Sequence, residues 1–316
     1  MADKPTRDGF GEALLALGAR DPRIVALSGD LEDSVRAKWF KDQYPERFFS
    51  VGIAEQDLIG TAAGLALAGK IPFACSFSAF ISGKSWEQIR VAVCYQQANV
   101  KIVGSHGGLS VGADGATAEA LEDIGIMRAL PHMTVIVPAD APQAYQATVA
   151  ATAHVGPVYL RVGRAAVPVV TAPEAPFVIG QATQMRDGDD VTLIACGTMV
   201  AFSLRAAELL AVQGINARIL NMATIKPIDA TAIHEAAHQT GAIVTVEEHN
   251  VIGGLGSAVA EVVVQDQPVP MRFVGVHDRF GTSGDPNDLY KAFHVTPEDI
   301  AAAAAELLKI KRASFR

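Results

Sequence analysis

Cysteine is scarce. Cys75, Cys94 and Cys196 are an odd number, scattered, and without the spacing of metal ligands. A disulfide framework and a cysteine-built metal cage are excluded, and a reduced, cytoplasmic protein is the expectation. Basic residues are outnumbered, 26 Lys and Arg against 34 Asp and Glu, for a formal net charge of −8. That balance argues against a general nucleic-acid binder and against binding to an acidic membrane surface, while leaving room for a local basic pocket. Long apolar runs are missing, so nothing spans a bilayer, and the opening MADKPTRDGF lacks the apolar core of a signal peptide. Equally missing are a Ser or Cys nucleophile dyad, a metal-ligand cluster and a Walker loop. What remains is a 316-residue chain, 50% hydrophobic and rich in Gly, with room for two domains and a sizeable core.

Along the chain, apolar runs alternate with helical spacing, which predicts parallel sheets wrapped by helices. Strands are expected at 24–28, 48–51, 72–76, 100–104, 134–137 and 158–162, and helices at 10–17, 34–44, 86–95, 119–129 and 141–154. A Pro-rich stretch, VPVVTAPEAP at 167–176, reads as a linker. A second alternation follows, with strands at 191–196, 217–221 and 242–247 and helices at 199–213, 229–239 and 253–265. Two α/β domains result.

The chain is organised around RFFSVGIAEQDLIGTAAGLALAG, residues 47–69. Phe48, Phe49 and Val51 read as the end of a buried strand. Gly60, Ala63, Gly64 and Ala68 give the following helix a face nearly free of side chains, suited to close packing against a neighbour. Glu55 sits between them, at the first turn. It is either an N-terminal helix acid favoured by the helix dipole or a carboxylate aimed from a strand–helix corner at a ligand. Gly107, Gly108, Gly112 and Gly115 make a flexible loop that can present His106 and Asp114. Phe77 and Phe80 follow another strand and are core residues or a stacking surface. Gly253, Gly254 and Gly256 follow a strand and open a helix, but the spacing favours tight packing over a phosphate turn. His249 beside Glu247 and Glu248 is read as an interface cluster rather than a proton relay.

Together RFFSVGIAEQDLIGTAAGLALAG, FISGKSWEQIR, GLSVGADGATAEALEDIGIMRALPHMTVIVPAD and EEHNVIGGLGSAV resemble the C-terminal half of transketolases, nearly end to end, and most of all the small subunit of split transketolases. The resemblance implies a thiamine diphosphate pyrimidine-binding domain at 1–168, a linker at 169–178 and a transketolase C-terminal α/β domain at 179–316. It implies that Glu55 hydrogen-bonds N1′ of the aminopyrimidine and favours its imino tautomer, that Phe80 stacks on that ring, and that Phe77 lies on the same wall. Asp114 matches a substrate-hydroxyl ligand, and Arg7, Ser34, His106 and Arg164 match the positions that hold the acceptor phosphate. Two cations, an imidazole and a hydroxyl suit a phosphate dianion.

The family's GDG…N diphosphate and magnesium motif has no counterpart here, which implies a separate N-terminal-half subunit carrying those ligands, in an α2β2 assembly acting on sugar phosphates. Where the family usually has a histidine near the donor sugar, this chain has Ala118, implying either a different ketose donor or a partly vestigial subunit. Two other readings are the β subunit of a 2-oxo acid dehydrogenase and a non-catalytic regulatory or assembly subunit. A nucleotide-binding module, resting on GGLG alone, is the weakest.

Overall fold

Ile24–Ser28 (IVALS), Ile71–Phe77 (IPFACSF) and Val158–Val162 (VYLRV) are buried at every position. A strand can bury both faces only if helices cover both sides of its sheet, and that is the architecture of the computed structural model, which describes residues 2–314. The first sheet has seven strands in the order Thr224–Lys226, Thr134–Ile136, Val158–Val162, Lys101–Ser105, Ile71–Phe77, Ile24–Ser28 and Phe48–Ser50. All its pairs are parallel except the first. The second sheet runs Met271–Val276, Ile243–Asn250, Val191–Ala195, Ala217–Asn221 and Thr183–Arg186, parallel except for its last pair. Both halves are therefore mixed α/β sheets with a single antiparallel edge. Among the described residues, no helix is long and apolar enough to cross a membrane.

Several local expectations are corrected. Phe48–Ser50 is an edge strand rather than a buried one; it pairs only with Ile24–Ser28, and Phe49 is 37% exposed. The polar 34–44 stretch is helical only over Lys38–Gln43, and the helix expected at 119–129 spans only Asp123–Arg128. Before it, Ala120 forms an isolated parallel bridge with Gly107, and the Gly108 N–H donates to the Ala120 carbonyl at 2.9 Å. The 86–95 helix is a short α turn, Trp86–Gln88, continued by a π-helix over Ile89–Tyr95. Thr224–Lys226 is a strand outside those expected from the sequence, and it leaves the second half of the chain to complete the first sheet.

The small-residue helix, Glu55–Leu67, uses Leu58, Ile59, Ala62 and Ala63 to cover the sheet. Gly60, Gly64 and Ala68 face outward instead, and a Cβ built at Gly60 or Gly64 meets nothing within 4 Å. Close packing along this face is therefore not made within the chain. The opposite case is Gly9, where a Cβ would lie 2.0 Å from the Ala141 carbonyl oxygen; only glycine lets the Thr6–Arg20 and Ala141–Ala153 helices approach that closely.

The two halves meet across a buried polar network. Arg161 donates to Asp123 at 2.9 Å, to the Ala120 carbonyl at 3.0 Å and to the Glu248 carbonyl at 3.1 Å, while the Tyr159 hydroxyl donates to Asp123 at 2.6 Å. Glu248 accepts from the Ser110 N–H across the same boundary. Next to it, His249 accepts from the Gly125 N–H at Nε2 and donates from Nδ1 to the Asn250 carbonyl. Burial pushes its pKa down to about 4, so the ring is neutral. Glu247 turns the other way and accepts from the Leu255 and Gly256 N–H groups, at 2.7 and 2.8 Å. The helix N-terminus built by GGLG thus holds its own carboxylate. A Cβ on Gly254 would lie 2.0 Å from that carboxylate, and one on Gly256 2.7 Å from Phe273, so the glycines serve close packing.

Candidate active site

Glu55 is the first residue of its helix, at the corner left by the Phe48–Ser50 strand, and is 7% exposed. Its Oε2 accepts from the Lys84 ammonium at 3.0 Å. Lys84 also lies over the Phe80 ring, 5.0 Å from its centroid. Phe77 ends the Ile71–Phe77 strand and Phe80 stands in the first turn of the Ser78–Gly83 helix, so the chain reversal stacks the two rings at 5.6 Å and 23°. The result is a carboxylate beside a flat aromatic wall.

The far end of that wall is His106, stacked on Phe77 with centroids 3.9 Å apart. His106 has a φ of 59° at the end of the Lys101–Ser105 strand, which turns its ring inward. Arg7 Nη1 donates toward His106 Nε2 at 3.3 Å, which leaves Nδ1 to donate to the Ser105 hydroxyl at 2.9 Å. Burial, with Arg7, Arg164 and Arg36 nearby, pushes the His106 pKa down to about 3. A neutral imidazole accepting from Arg7 orients that guanidinium. The two arginines remain the cations of this group.

Arg7 and Arg164, far apart in sequence, are brought together by a short antiparallel ladder, Lys4 opposite Val167 and Pro5 opposite Ala166. Arg7 Nη1 donates to the Ser34 carbonyl at 2.9 Å, so in this structure Ser34 contacts Arg7 through its backbone. Arg164 Nη1 donates to the Val111 carbonyl at 2.6 Å and lies 3.6 Å from Asp114. The Nε of Arg7 is buried without a hydrogen-bond partner. Both arginines open onto a cavity of about 440 Å³, walled by Ser110, Val111 and Gly112 and, from the second half, Gly284, Asp285 and Pro286. Burial and the like charge of Arg36 lower the pKa of Arg7.

All eight sequence-derived site residues therefore fall in two adjoining groups, Glu55–Phe77–Phe80 and Arg7–Ser34–His106–Asp114–Arg164, with the His106–Phe77 stack as the joint. Sequence reasoning missed Lys84, the Arg36–Asp8 ion pair at 2.6 Å beside Arg7, and the Gly284–Pro286 wall. Lys84 sits within the FISGKSWEQIR motif without standing out there, and no local signal marks the other two. Ala118 is 5% exposed and belongs to the apolar cluster that holds Phe77, Val111 and Val162. Among the described residues, no group of three or more His, Cys, Asp or Glu side chains is placed to hold a metal ion.

Comparison with known proteins finds matches over most of the chain. The family pattern "Transketolase, pyrimidine binding domain" matches residues 3–170, and "Transketolase, C-terminal domain" matches residues 180–300. The chain is 44% identical over 309 residues to a putative transketolase C-terminal section of Methanocaldococcus jannaschii, covering 97% of each. It is 45% identical to a 6-deoxy-6-sulfo-D-fructose transketolase subunit of a Clostridium species, covering 98% of this chain and 96% of the relative. A solved structure described as a split gene transketolase, inactive beta4 tetramer, superimposes with a TM-score of 0.91 at 47% identity, over 96% of this chain and 98% of that one.

Proposed function

This chain belongs to the transketolase family, and we propose that it is the C-terminal-half subunit of a split enzyme that moves a two-carbon ketol unit from a ketose to a phosphorylated aldose. One observation carries the reading: a buried carboxylate and an aromatic wall adjoin, through one imidazole, a cavity lined by two arginines. On this reading residues 1–168 bind the pyrimidine, 169–178 link, and 179–316 form the C-terminal domain. Three buried, unpaired thiols support a cytoplasmic setting.

The residues fit the aminopyrimidine of thiamine diphosphate. Glu55 is an acceptor with little solvent, and Phe80 and Phe77 offer a flat apolar face, the complement of a ring with a protonatable nitrogen. When bound, that cofactor supplies the nucleophile and the electron sink that let a carbon–carbon bond beside a ketose carbonyl break. Glu55 holds a proton at the ring nitrogen and so fixes the ring's tautomer. Phe77 and Phe80 exclude water from that hydrogen bond and strengthen it. Arg7 and Arg164 bind the phosphate end of the substrate, with His106 orienting Arg7 and Asp114 positioned for a sugar hydroxyl. The diphosphate and its magnesium are assigned to the N-terminal-half partner, as the place for the family's GDG…N motif, which has no counterpart in this sequence. The outward Gly60–Gly64 face, beside exposed Leu67 and near Ile53, supports burial against other subunits in an α2β2 assembly.

The arginine cavity favours a sugar phosphate over the 2-oxo acid of a dehydrogenase β subunit. Retention of Glu55 and the aromatic wall weighs against a non-catalytic role. The relative named for a sulfonated ketose supports a modified donor here, in line with Ala118.

The test is to purify the chain with the N-terminal-half subunit and assay ketol transfer with thiamine diphosphate and magnesium. Activity in the mixture, together with no sub-micromolar cofactor binding by this chain alone, is the expected result. An inactive mixture across a panel of phosphorylated aldoses and ketoses, modified ketoses included, overturns the assignment. Within the active complex, Arg164→Ala raises KM for phosphorylated aldoses roughly ten- to a hundredfold, the cost of one charged hydrogen bond. KM for non-phosphorylated aldoses moves little. Equal losses on both substrate types remove the phosphate role.

A further inference from the structure

The Lys84 ammonium meets two groups, Glu55 and the Phe80 ring, both assigned above to the cofactor ring. It donates to Glu55 Oε2 at 3.0 Å and sits 5.0 Å from the Phe80 centroid, within cation–π range. A positive N–H donor over an aromatic face, pointed at a carboxylate, presents the same chemistry as a protonated ring nitrogen on the same seat. We propose that Lys84 is an internal competitor of the cofactor ring for Glu55, and that its side chain must swing away for the ring to settle.

The local structure is built for such a swing. The Lys84 backbone is fixed, its N–H donating to the Phe80 carbonyl at 3.0 Å and its carbonyl accepting from the Gln56 side chain at 3.1 Å. Gln56 neighbours Glu55, so both ends of the ion pair ride on elements tied together. The Lys84 side chain is 53% exposed whereas Glu55 is 7% exposed. The lysine therefore has an open path to water and little to lose by taking it, because a half-exposed ion pair holds weakly. The carboxylate has no such path. It exchanges one donor for another and is never left buried without a partner, the outcome that carries the large cost. Lys84 thus keeps the Glu55 carboxylate hydrogen-bonded, and it sets how tightly the ring is held.

This inference rests on the cofactor assignment of Glu55 and Phe80, and the experiment separates the two. Thiamine diphosphate affinity is measured by calorimetry on the assembled complex for wild type, Lys84→Met, Lys84→Arg and Glu55→Gln, and each Tm is measured without added cofactor. Removing the competitor raises the energy of the unliganded seat only, so Lys84→Met binds the cofactor about two- to fivefold more tightly, the size of a half-exposed ion pair. Its Tm without cofactor falls, and Lys84→Arg restores both values. A purely structural lysine gives the lower Tm without tighter binding, and a lysine that helps hold the ring gives weaker binding. Either result overturns the proposal. Glu55→Gln binds the cofactor more weakly than wild type. If wild type and Glu55→Gln bind equally, or neither binds, the cofactor assignment itself falls and takes the competitor with it.

Discussion

Glu55→Gln lowers the ketol-transfer rate of the assembled complex by about 10²–10⁴-fold, the range of a lost proton-transfer partner, while the subunit remains folded. Glutamine keeps the size and an acceptor oxygen but not the charge, so the proton at the ring nitrogen loses the group that shares it. The fold survives because Glu55 packs through its position rather than through a network: its hydrogen-bond partner, Lys84, is half in water. The loss of that ion pair costs at most about 1 kcal/mol. Turnover and Tm are measured on the same preparation. A variant within about threefold of wild type in rate returns Glu55 to the role of a helix-terminal acid.

Asp123→Ala has its large effect on stability. Arg161 is 6% exposed and Asp123 1% exposed, and Asp123 also takes the Tyr159 hydroxyl at 2.6 Å. Alanine leaves a buried guanidinium without its carboxylate, which costs about 3–5 kcal/mol. At roughly 2–4 °C per kcal/mol for a domain of this size, Tm falls by on the order of 10 °C. Asp123→Asn keeps an oxygen acceptor for Arg161 and Tyr159 and loses less. Because Arg161 also holds the Glu248 carbonyl, the alanine variant loosens the seam between the halves, read as faster proteolysis there. A Tm within 2 °C of wild type would show that the seam stands without this pair.

The strands most legible in the sequence were those whose apolar runs are short, unbroken and bounded. IVALS and ARILN were placed to the residue, because both lie inside a sheet covered on both faces. Edge elements were misread because they lack that signature. Phe48 and Phe49 look like core, yet they lie in a strand with a partner on only one side. Thr224–Lys226 is three residues long, and nothing in those residues reveals that their partner lies before the linker. The outward face of the Glu55 helix was read as packing because small residues look the same whether a neighbour belongs to the same chain or to another. The Glu55 corner was visible from the strand-to-helix switch alone. Arg7 and Arg164 were not, since each is an ordinary surface base until the Lys4–Pro5 ladder joins them; only the family resemblance paired them beforehand. Lys84 lies inside the FISGKSWEQIR motif, but its meaning comes from a contact across the fold.

The Thr224–Lys226 strand bears on how the chain is made. On the ribosome, the first half emerges with six of its seven strands, and the Thr134–Ile136 edge has no cover until a segment from well inside the second half arrives. At about 5–20 residues per second, that wait lasts on the order of ten seconds. Through it the nascent chain offers an unpaired backbone row next to Val135 and Ile136, the kind of edge that recruits strands from other chains. Synthesis order thus makes this edge a place where a crowded polysome is exposed to mispairing, and one that a holding chaperone would shield.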